Sequence, residues 1–269
     1  MIEFKNNILF FYNRGLSFLY RFYWLSILSR TPLKAIGFLI QSSKNIHSQF
    51  IFTLNGIQIK FRATDANIIE EIFVNREYDF LKDYIASIDT PVVLDLGAHI
   101  GAFSIWTLIK NRSAKVISIE ADPDTFSILS ENKLSSSIVM PDVTWEAHNL
   151  LAWSSNNELA NFSQSGPSMS HRADISGNIL VKTINLPHLL NISSIENNKV
   201  DILKIDIEGS EEDFLCENPD SLSKVKCLII ELHPYLCNTE RVIRVINDHF
   251  TNVIEIKDRC SSKPLLYCY

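Results

Sequence analysis

The segment that most constrains the fold is residues 92–104, Val-Val-Leu-Asp-Leu-Gly-Ala-His-Ile-Gly-Ala-Phe-Ser. Its first five residues are an apolar, β-branched-rich run, which predicts a buried parallel strand. Two glycines follow before an apolar-periodic segment resumes, so the pattern is that of a strand, a tight turn and a helix. Glycines let a ligand approach the backbone, and the free amides of a helix N-terminus favour negative charge. The turn is therefore predicted to hold a cofactor.

The spacing of the glycines separates the candidate cofactors. A dinucleotide site needs three glycines as G-x-G-x-x-G, whereas Gly97 and Gly101 are separated by three residues and the third glycine is missing. A second predicted strand, residues 115–119, is followed by Glu120, which is placed to accept both hydroxyls of a ribose. With Asp95 and the short turn, this favours S-adenosylmethionine, because a cofactor without phosphates needs less of an anion cradle.

Four blocks of the sequence resemble, in the right order, the signatures of the FkbM family of S-adenosylmethionine-dependent methyltransferases. They are residues 92–104, 119–123, 201–211 and 229–234, and the Lys-Ile-Asp-Ile-Glu-Gly run in the third block is the most discriminating. The resemblance implies an α/β class I methyltransferase fold, with a Rossmann-like seven-stranded sheet that is mostly parallel and has an antiparallel last strand. It also implies O-methylation of a hydroxyl on a sugar, polysaccharide, glycolipid or natural product.

The cofactor site is predicted from the turn, the end of the second strand and the segment after the third strand. That last segment resembles the family's short cofactor-flanking turn, in which two apolar residues lie on the adenine. The predicted cofactor-binding residues are Asp95, Gly97, Ala98, His99, Gly101, Glu120, Ala121, Leu151 and Ala152.

The predicted catalytic residues follow two later strands, which deliver Asp206 and then Glu231 with His233 to the carboxyl edge of the sheet, where ligands bind in open α/β folds. An alcohol is a poor nucleophile, so methyl transfer to it benefits from a base. His233 is the first choice, because imidazole titrates in the useful range and Glu231 or Asp206 can orient it. Lys204, in an apolar strand, is expected to pair with a neighbouring carboxylate, since an unpaired buried lysine is costly.

Asp206 has three interpretations: it holds the acceptor hydroxyl, it is itself the base, or with Glu231 it binds a divalent metal. Two carboxylates without a clear third ligand are a weak metal signal, so no metal is predicted. Two rival classes stay open, a nucleotide-binding oxidoreductase and a non-catalytic scaffold that binds S-adenosylmethionine.

The charge and the cysteines indicate the kind of acceptor and the compartment. The formal net charge of -6 argues against a nucleic acid partner, because such binding relies on phosphate neutralisation. A glycan or a small molecule with a hydroxyl group is the better acceptor. The five cysteines are odd in number and form no Cys-x-x-Cys pair, which predicts reduced thiols in a cytoplasmic protein.

Residues 1–48 differ from the rest, with six basic residues, one acidic residue and many aromatics. They predict a helical extension before a methyltransferase domain at residues 49–269, which begins with a β-hairpin around Asn55-Gly56. The extension has three interpretations. It packs on the catalytic domain or on the second subunit of a homodimer, it lies on an anionic membrane surface, or it inserts; its interrupting charges fit insertion poorly.

Two further segments are predicted to border the cofactor. Apolar residues at helical spacing in residues 65–83, among them Ile68 and Ile72, predict a helix that covers the cofactor. The polar segment 155–178 predicts a short antiparallel ribbon or loop above the site, in which His171 is a candidate substrate contact.

Overall fold

The computed structural model of the chain describes residues 19–45, 47–166, 170–192, 199–257 and 263–269. In chain order the elements are α1 (residues 19–29), α2 (Pro32–Lys44), β1 (Gln49–Leu54), β2 (Ile57–Arg62), α3 (Ala66–Ile69), α4 (Lys82–Ser87), β3 (Val92–Leu96), α5 (Ala102–Lys110), β4 (Lys115–Glu120), α6 (Pro123–Val139), β5 (Thr144–Asn149), β6 (Leu151–Ala152), β7 (Leu159–Ser163), β8 (Arg172–Ala173), β9 (Ile179–Ile184), α7 (Leu186–Leu189), β10 (Ile202–Ile205), α8 (Glu211–Cys216), β11 (Leu228–Glu231), α9 (Thr239–His249), β12 (Val253–Ile256) and β13 (Leu265–Cys268). A π-helical turn, Glu70–Val74, follows α3.

A seven-stranded sheet of strand order β12-β13-β11-β10-β3-β4-β5 forms the centre of the fold. The five strands from β11 to β5 run parallel, and β13 is antiparallel to both of its neighbours. This confirms the predicted α/β class I methyltransferase fold with an antiparallel last strand. The chain leaves β3 towards β5 and then returns to β10 on the other side of β3, so a topological switch point lies between β3 and β10, where open sheets bind ligands.

A smaller sheet of order β6-β9-β7-β8 stands beside the end of β4 and β5. The antiparallel pairs β7–β8 and β7–β9 confirm the ribbon predicted for the polar segment. Leu151, Phe162 and Val181 form its own small apolar core. Part of that segment, residues 167–169, lies outside the described residues.

The N-terminal helices pack on the β1–β2 hairpin. Asn55 and Gly56 take the positive φ angles of 50° and 87° that a two-residue hairpin turn needs, which confirms the predicted hairpin. Trp24 of α1 and Phe38 of α2 are buried in the same apolar cluster as Phe61 of β2. The described part of the extension therefore packs on the rest of the chain, as its first interpretation expects; the domain boundary at residue 48 stays a prediction.

Membrane insertion was one interpretation of the extension. Among the residues that the structure describes, no helix combines the length and the apolar character needed to cross a bilayer. Residues 1–18, on which the prediction also rested, lie outside that set.

Candidate active site

The turn between β3 and α5 is held in a conformation that requires glycine. Gly97 has a φ of 68°, and a Cβ atom on it would lie 1.7 Å from the carbonyl oxygen of Asp206. Gly101 has a φ of 83°, and its Cβ would come within 2.9 Å of the Trp145 ring. Because L-residues rarely adopt this backbone conformation and neither site has room for a side chain, glycine brings the turn against the end of β10.

Glu120, at the end of β4, faces the cleft above this turn. Its Oε2 accepts the backbone N–H of His99 at 2.8 Å, and its Oε1 accepts that of Asp122 at 2.9 Å. Burial raises the pKa of Glu120 to about 7, although the two amide hydrogen bonds act in the opposite direction. Each carboxylate oxygen has two lone pairs, so the group can still accept ribose hydroxyls.

Seven of the nine predicted cofactor-binding residues line this cleft: Gly97, Ala98, His99, Glu120, Ala121, Leu151 and Ala152. Gly101 and Asp95 are not among its lining residues. Asp95 is fully buried behind the turn, where its Oδ2 accepts the hydroxyl of Ser104 at 2.7 Å. Asp95 thus anchors the start of α5 through Ser104. Its direct contact with a cofactor stays a prediction.

Other lining residues add apolar walls. Ile68 and Ile72, predicted to belong to a helix that covers the cofactor, line the cleft. The helix itself, α3, is short and continues as a π-helical turn. The cofactor prediction did not name the remaining apolar residues, Phe103, Ile119, Leu150, Phe162 and Ile207. The apolar walls suit a flat adenine, Glu120 suits a ribose, and the glycine turn permits close approach, so these residues fit S-adenosylmethionine.

Lys204 connects the two strand ends at the switch point. It is only 4% exposed, and its Nζ donates to the carbonyl oxygen of Gly97 at 3.2 Å. The same Nζ lies 3.4 Å from Asp95 Oδ1 and 3.6 Å from Asp206 Oδ2. Burial lowers the pKa of Lys204, but these two carboxylates outweigh it and hold the pKa above its usual value. The expected pairing of this lysine with a neighbouring carboxylate is confirmed.

An acid–histidine cluster, Asp206, Glu208, Glu211, Glu231 and His233, occupies the ends of β10 and β11. His233 is 3% exposed, and its Nδ1 donates to Glu211 Oε1 at 2.7 Å. Its Nε2 lies 3.2 Å from Glu208 Oε2, 3.8 Å from Glu231 Oε1 and 3.9 Å from Asp206 Oδ1. The structure thus brings together the predicted catalytic residues. It adds Glu208, which the sequence places just after the same strand but not among the catalytic residues, and Glu211, which the sequence does not single out.

The protonation of His233 bears on its predicted role. Burial lowers the pKa of the imidazole, but the carboxylates of Glu208 and Glu211 outweigh it and raise the pKa to about 10. A protonated imidazole cannot accept a proton from a hydroxyl. Of the predicted catalytic residues, Lys204 and Asp206 line the cleft, and Glu208 lines it too, whereas His233 and Glu231 are not among its lining residues. The structure therefore favours Asp206 as the group that meets an acceptor, and the catalytic roles stay predictions.

His171, the candidate substrate contact, also lines the cleft. Its Nδ1 lies 2.7 Å from Asp122 Oδ2, in hydrogen-bonding contact with the residue that caps α6. The hydrogen bond to Asp122 raises the pKa of His171. The histidine thus fastens the smaller sheet to the main one at the cofactor side.

Comparison with known proteins places this geometry in a family. The family model for the methyltransferase FkbM domain matches residues 95–256, more than half of the chain. The hexuronic acid methyltransferase AglP of Haloferax volcanii is 28% identical over 193 residues, which cover 70% of this chain and 76% of that protein.

Two solved structures are also similar. The methyltransferase FkbM from Methylobacillus flagellatus KT gives a TM-score of 0.46 at 18% identity, covering 67% of this chain, and this chain spans 44% of that protein's length. TYW2 from P. horikoshii in complex with MeSAdo gives a TM-score of 0.43 at 19% identity, over 82% of this chain and 70% of that chain. The family match selects the methyltransferase from the classes that the sequence left open. The chain belongs to the FkbM family of S-adenosylmethionine-dependent methyltransferases.

Proposed function

We propose that this protein methylates a hydroxyl group of a sugar within a glycan or glycolipid. The observation that carries the proposal is the position of Asp206, which lines the cofactor cleft and belongs to the acid–histidine cluster. A polar acceptor hydroxyl therefore meets a carboxylate next to the glycine turn. The relative AglP is named for hexuronic acid, a sugar, which supports a carbohydrate acceptor.

The residues of the chain would position the two reactants. When bound, S-adenosylmethionine supplies a methyl group on a sulfonium, whose carbon–sulfur bond breaks as the new carbon–oxygen bond forms. Asp206 accepts the hydrogen bond of the acceptor hydroxyl and receives its proton during transfer. Lys204 holds the Asp206 carboxylate at 3.6 Å and the Gly97 carbonyl at 3.2 Å, so the acceptor and cofactor sides stay aligned.

Calorimetric titration of the purified chain with S-adenosylhomocysteine tests the cofactor part. The wild type should bind, and Glu120→Ala should bind at least about tenfold more weakly, because a buried acceptor of hydroxyl hydrogen bonds is lost. Glu240→Ala removes an exposed carboxylate at the start of α9 and should bind like the wild type. No binding by a folded wild type would overturn the site assignment.

The acceptor part needs a product analysis. Glycans with and without uronic acid are incubated with the enzyme and with S-adenosylmethionine carrying a labelled methyl group. The expected product keeps its label in mild alkali, because a methyl ether resists hydrolysis. Label released by mild alkali would identify a methyl ester on a uronic acid carboxylate and would refute methylation of a hydroxyl.

The described part of the N-terminal extension carries an outer apolar face, which we assign to an anionic membrane surface. On α1 the exposed apolar residues recur at Leu19, Tyr23 and Ile27, and on α2 at Leu33 and Ile36, opposite the stripes buried on the hairpin. Residues 19–48 contain four basic residues and no acidic one. An exposed apolar face on a segment of net positive charge is complementary to anionic lipid headgroups.

Sedimentation with lipid vesicles tests this surface. The full chain should sediment with vesicles that contain phosphatidylglycerol and much less with pure phosphatidylcholine. Leu33→Ser should reduce sedimentation, whereas Ile138→Ser, which changes an exposed isoleucine of α6, should not. A chain that ignores both vesicles would overturn the assignment, and a homodimer that Leu33→Ser dissociates would show that a second copy covers this face.

A further inference from the structure

We infer that Asp206, Glu208 and His233 form a binding site for a divalent metal cation beside the cofactor cleft. One ligand atom from each of the three residues lies within 4.8 Å of the other two. In the sequence, Asp206 and Glu231 have no clear third ligand, and no metal is predicted. The fold adds Glu208 from the turn after β10 and His233 from the end of β11.

The spacing of the ligand atoms suits a six-coordinate cation. With bonds of about 2.1 Å, neighbouring ligands of an octahedron are about 3.0 Å apart and opposite ligands about 4.2 Å apart. His233 Nε2 lies 3.2 Å from Glu208 Oε2 and 3.9 Å from Asp206 Oδ1, within this range. A nitrogen with carboxylate oxygens is a donor set that suits Mn²⁺ and related divalent ions.

The histidine points its second nitrogen into the cluster and makes no hydrogen bond with it. Within the described part of the chain, His233 Nε2 is a buried nitrogen without a hydrogen-bond partner, and its nearest contact is an ion-pair distance of 3.2 Å to Glu208 Oε2. An unsatisfied buried nitrogen of this kind is costly unless a ligand binds it. A cation between the nitrogen and the carboxylates would satisfy all of them.

Glu211 supplies the outer partner that metal-binding histidines commonly have. Its carboxylate is fully buried and accepts the Nδ1 hydrogen of His233 at 2.7 Å. This contact keeps Nδ1 protonated and directs Nε2 at Asp206 and Glu208, so a bound cation would displace the proton on Nε2. The carboxylate of Glu211 also accepts the backbone N–H of Gly209 at 3.1 Å, which ties it to the turn that carries Glu208.

The backbone at Glu208 is strained in a way that serves the cluster. Glu208 has a φ of 49°, in the left-handed region that non-glycine residues rarely adopt. This conformation places Glu208 in the cluster, and strain of this kind is found at ligand sites.

Charge balance also favours a cation at this position. With His233 neutral, as a metal ligand must be, five carboxyl groups (Asp95, Asp206, Glu208, Glu211 and Glu231) lie around two cationic side chains, Lys204 and Lys263. Lys263 Nζ is 2.8 Å from Glu208 Oε1, but its side chain is 36% exposed and can turn into solvent. A divalent ion would reduce the remaining repulsion at the buried end.

Only the catalytic role of the metal site rests on the proposed function. Next to the cleft, the cation would orient the acceptor hydroxyl and lower its pKa, which is the part of the reaction that the alcohol makes difficult. Binding of the cation itself can be measured without any acceptor.

Titration of the full-length, chelator-treated protein with Mn²⁺, followed by the electron paramagnetic resonance signal of the unbound ion, tests the site. The wild type should bind one Mn²⁺ per chain. Glu208→Gln should weaken binding at least about tenfold, and Glu211→Gln should weaken it by about tenfold through the histidine. Glu217→Gln removes a half-exposed carboxylate of the same region, which pairs with Arg241, and should bind like the wild type.

Melting curves show whether each variant is folded, so that lost Mn²⁺ binding is not mistaken for a folding defect. Mn²⁺ should raise the melting temperature of the wild type and not that of Glu208→Gln. No binding by a folded wild type at millimolar Mn²⁺, or equal binding by Glu208→Gln, would overturn the metal site. Mn²⁺ binding without methyl transfer to sugars would refute the proposed function but support the metal site. Full methyl transfer in chelator, with no Mn²⁺ binding, would support the proposed function and refute the metal site.

Discussion

The cofactor half and the acceptor half of the sheet edge are built by different forces. In the cofactor half, backbone amides hold the Glu120 carboxylate at 2.8 and 2.9 Å, and Gly97 lets one strand end touch the next. In the acceptor half, acidic side chains surround His233 at 2.7 to 3.9 Å. The backbone contacts form whenever the chain folds. The arrangement of the clustered carboxylates also depends on which cations bind among them.

The cofactor half is therefore the more rigid part of the site, and the acceptor half the more adjustable one. Backbone hydrogen bonds and steric contact depend little on solution conditions. Interactions among ionisable groups vary with pH, salt and bound cations. Variants in the cofactor half should therefore act on folding and cofactor affinity, and variants in the acceptor half on methyl transfer.

The largest expected effect is on stability, from Gly97→Ala. A Cβ there would lie 1.7 Å from the Asp206 carbonyl oxygen at a φ of 68°, so the two strand ends must separate. We expect a loss of more than about 3 kcal/mol of unfolding free energy. Gly166→Ala has a similar φ of 90° with nothing within 4 Å and should cost only about 1 kcal/mol. Urea unfolding measures both, and equal losses would show that the close approach is unimportant.

The next effect separates the two halves directly. Asp206→Asn removes the carboxylate that lines the cleft while keeping its shape, so methyl transfer should fall about 100-fold. Binding of S-adenosylhomocysteine should change by less than about threefold, since the bonds of Glu120 do not involve Asp206. Transfer rates and calorimetry on the same preparation test this. A large loss of cofactor binding would mean that the halves are not separable.

Much of the cofactor half could be predicted because its signals are local. The apolar run and the glycines of residues 92–104 predicted β3, its turn and α5, and a buried lysine predicted its own carboxylate partner. The position of Asp95 behind the turn could not be predicted, because it depends on the register that pairs Asp95 with Lys204 across two strands. A sequence gives side-chain types along each strand and not which residues become neighbours.

The acceptor half was less predictable for a related reason. Glu211 and His233 are separated by 22 positions, and only the fold brings the carboxylate at the start of α8 to the Nδ1 atom after β11. Glu208 enters the cluster through a left-handed backbone that its residue type does not favour. The available signal was the density of acids in residues 206–212. The strand position already points to Asp206 and Glu208, whereas Glu211 stands out only as part of a family signature.

Cofactor binding should depend on pH through Glu120. Burial raises the pKa of Glu120 to about 7, and ribose hydroxyls bind best to its charged form. Cofactor binding should therefore be strongest above that pKa and weaken about tenfold as the pH falls from about 8 to about 6. Calorimetry with S-adenosylhomocysteine measures this. Glu120→Gln should bind weakly and without this pH dependence; the same slope in that variant would assign the titration to another group.

The smallest expected effect concerns the tether between the two sheets. His171 Nδ1 lies 2.7 Å from Asp122 Oδ2, and the hydrogen bond to Asp122 raises the pKa of His171. Because the pKa of His171 is higher in the folded protein than in the unfolded chain, the ion pair is fully formed at pH values below the unfolded-state pKa. It is lost as the pH rises through the folded-state pKa. His171→Ala should therefore weaken S-adenosylhomocysteine binding about threefold near neutral pH and much less in alkaline solution.

Arg172→Ala is the matched control for this tether. Arg172 is the next residue, and it pairs with Asp174 on its own side of the smaller sheet, at 3.7 Å. Its loss should leave cofactor binding unchanged at either pH. If both variants weaken binding equally, the smaller sheet covers the cofactor through its general packing. If only His171→Ala does so, and only below the pKa of its imidazole, then a second ionisable group besides Glu120 controls the cofactor half, and the contrast between the two halves does not extend to the contact between the two sheets.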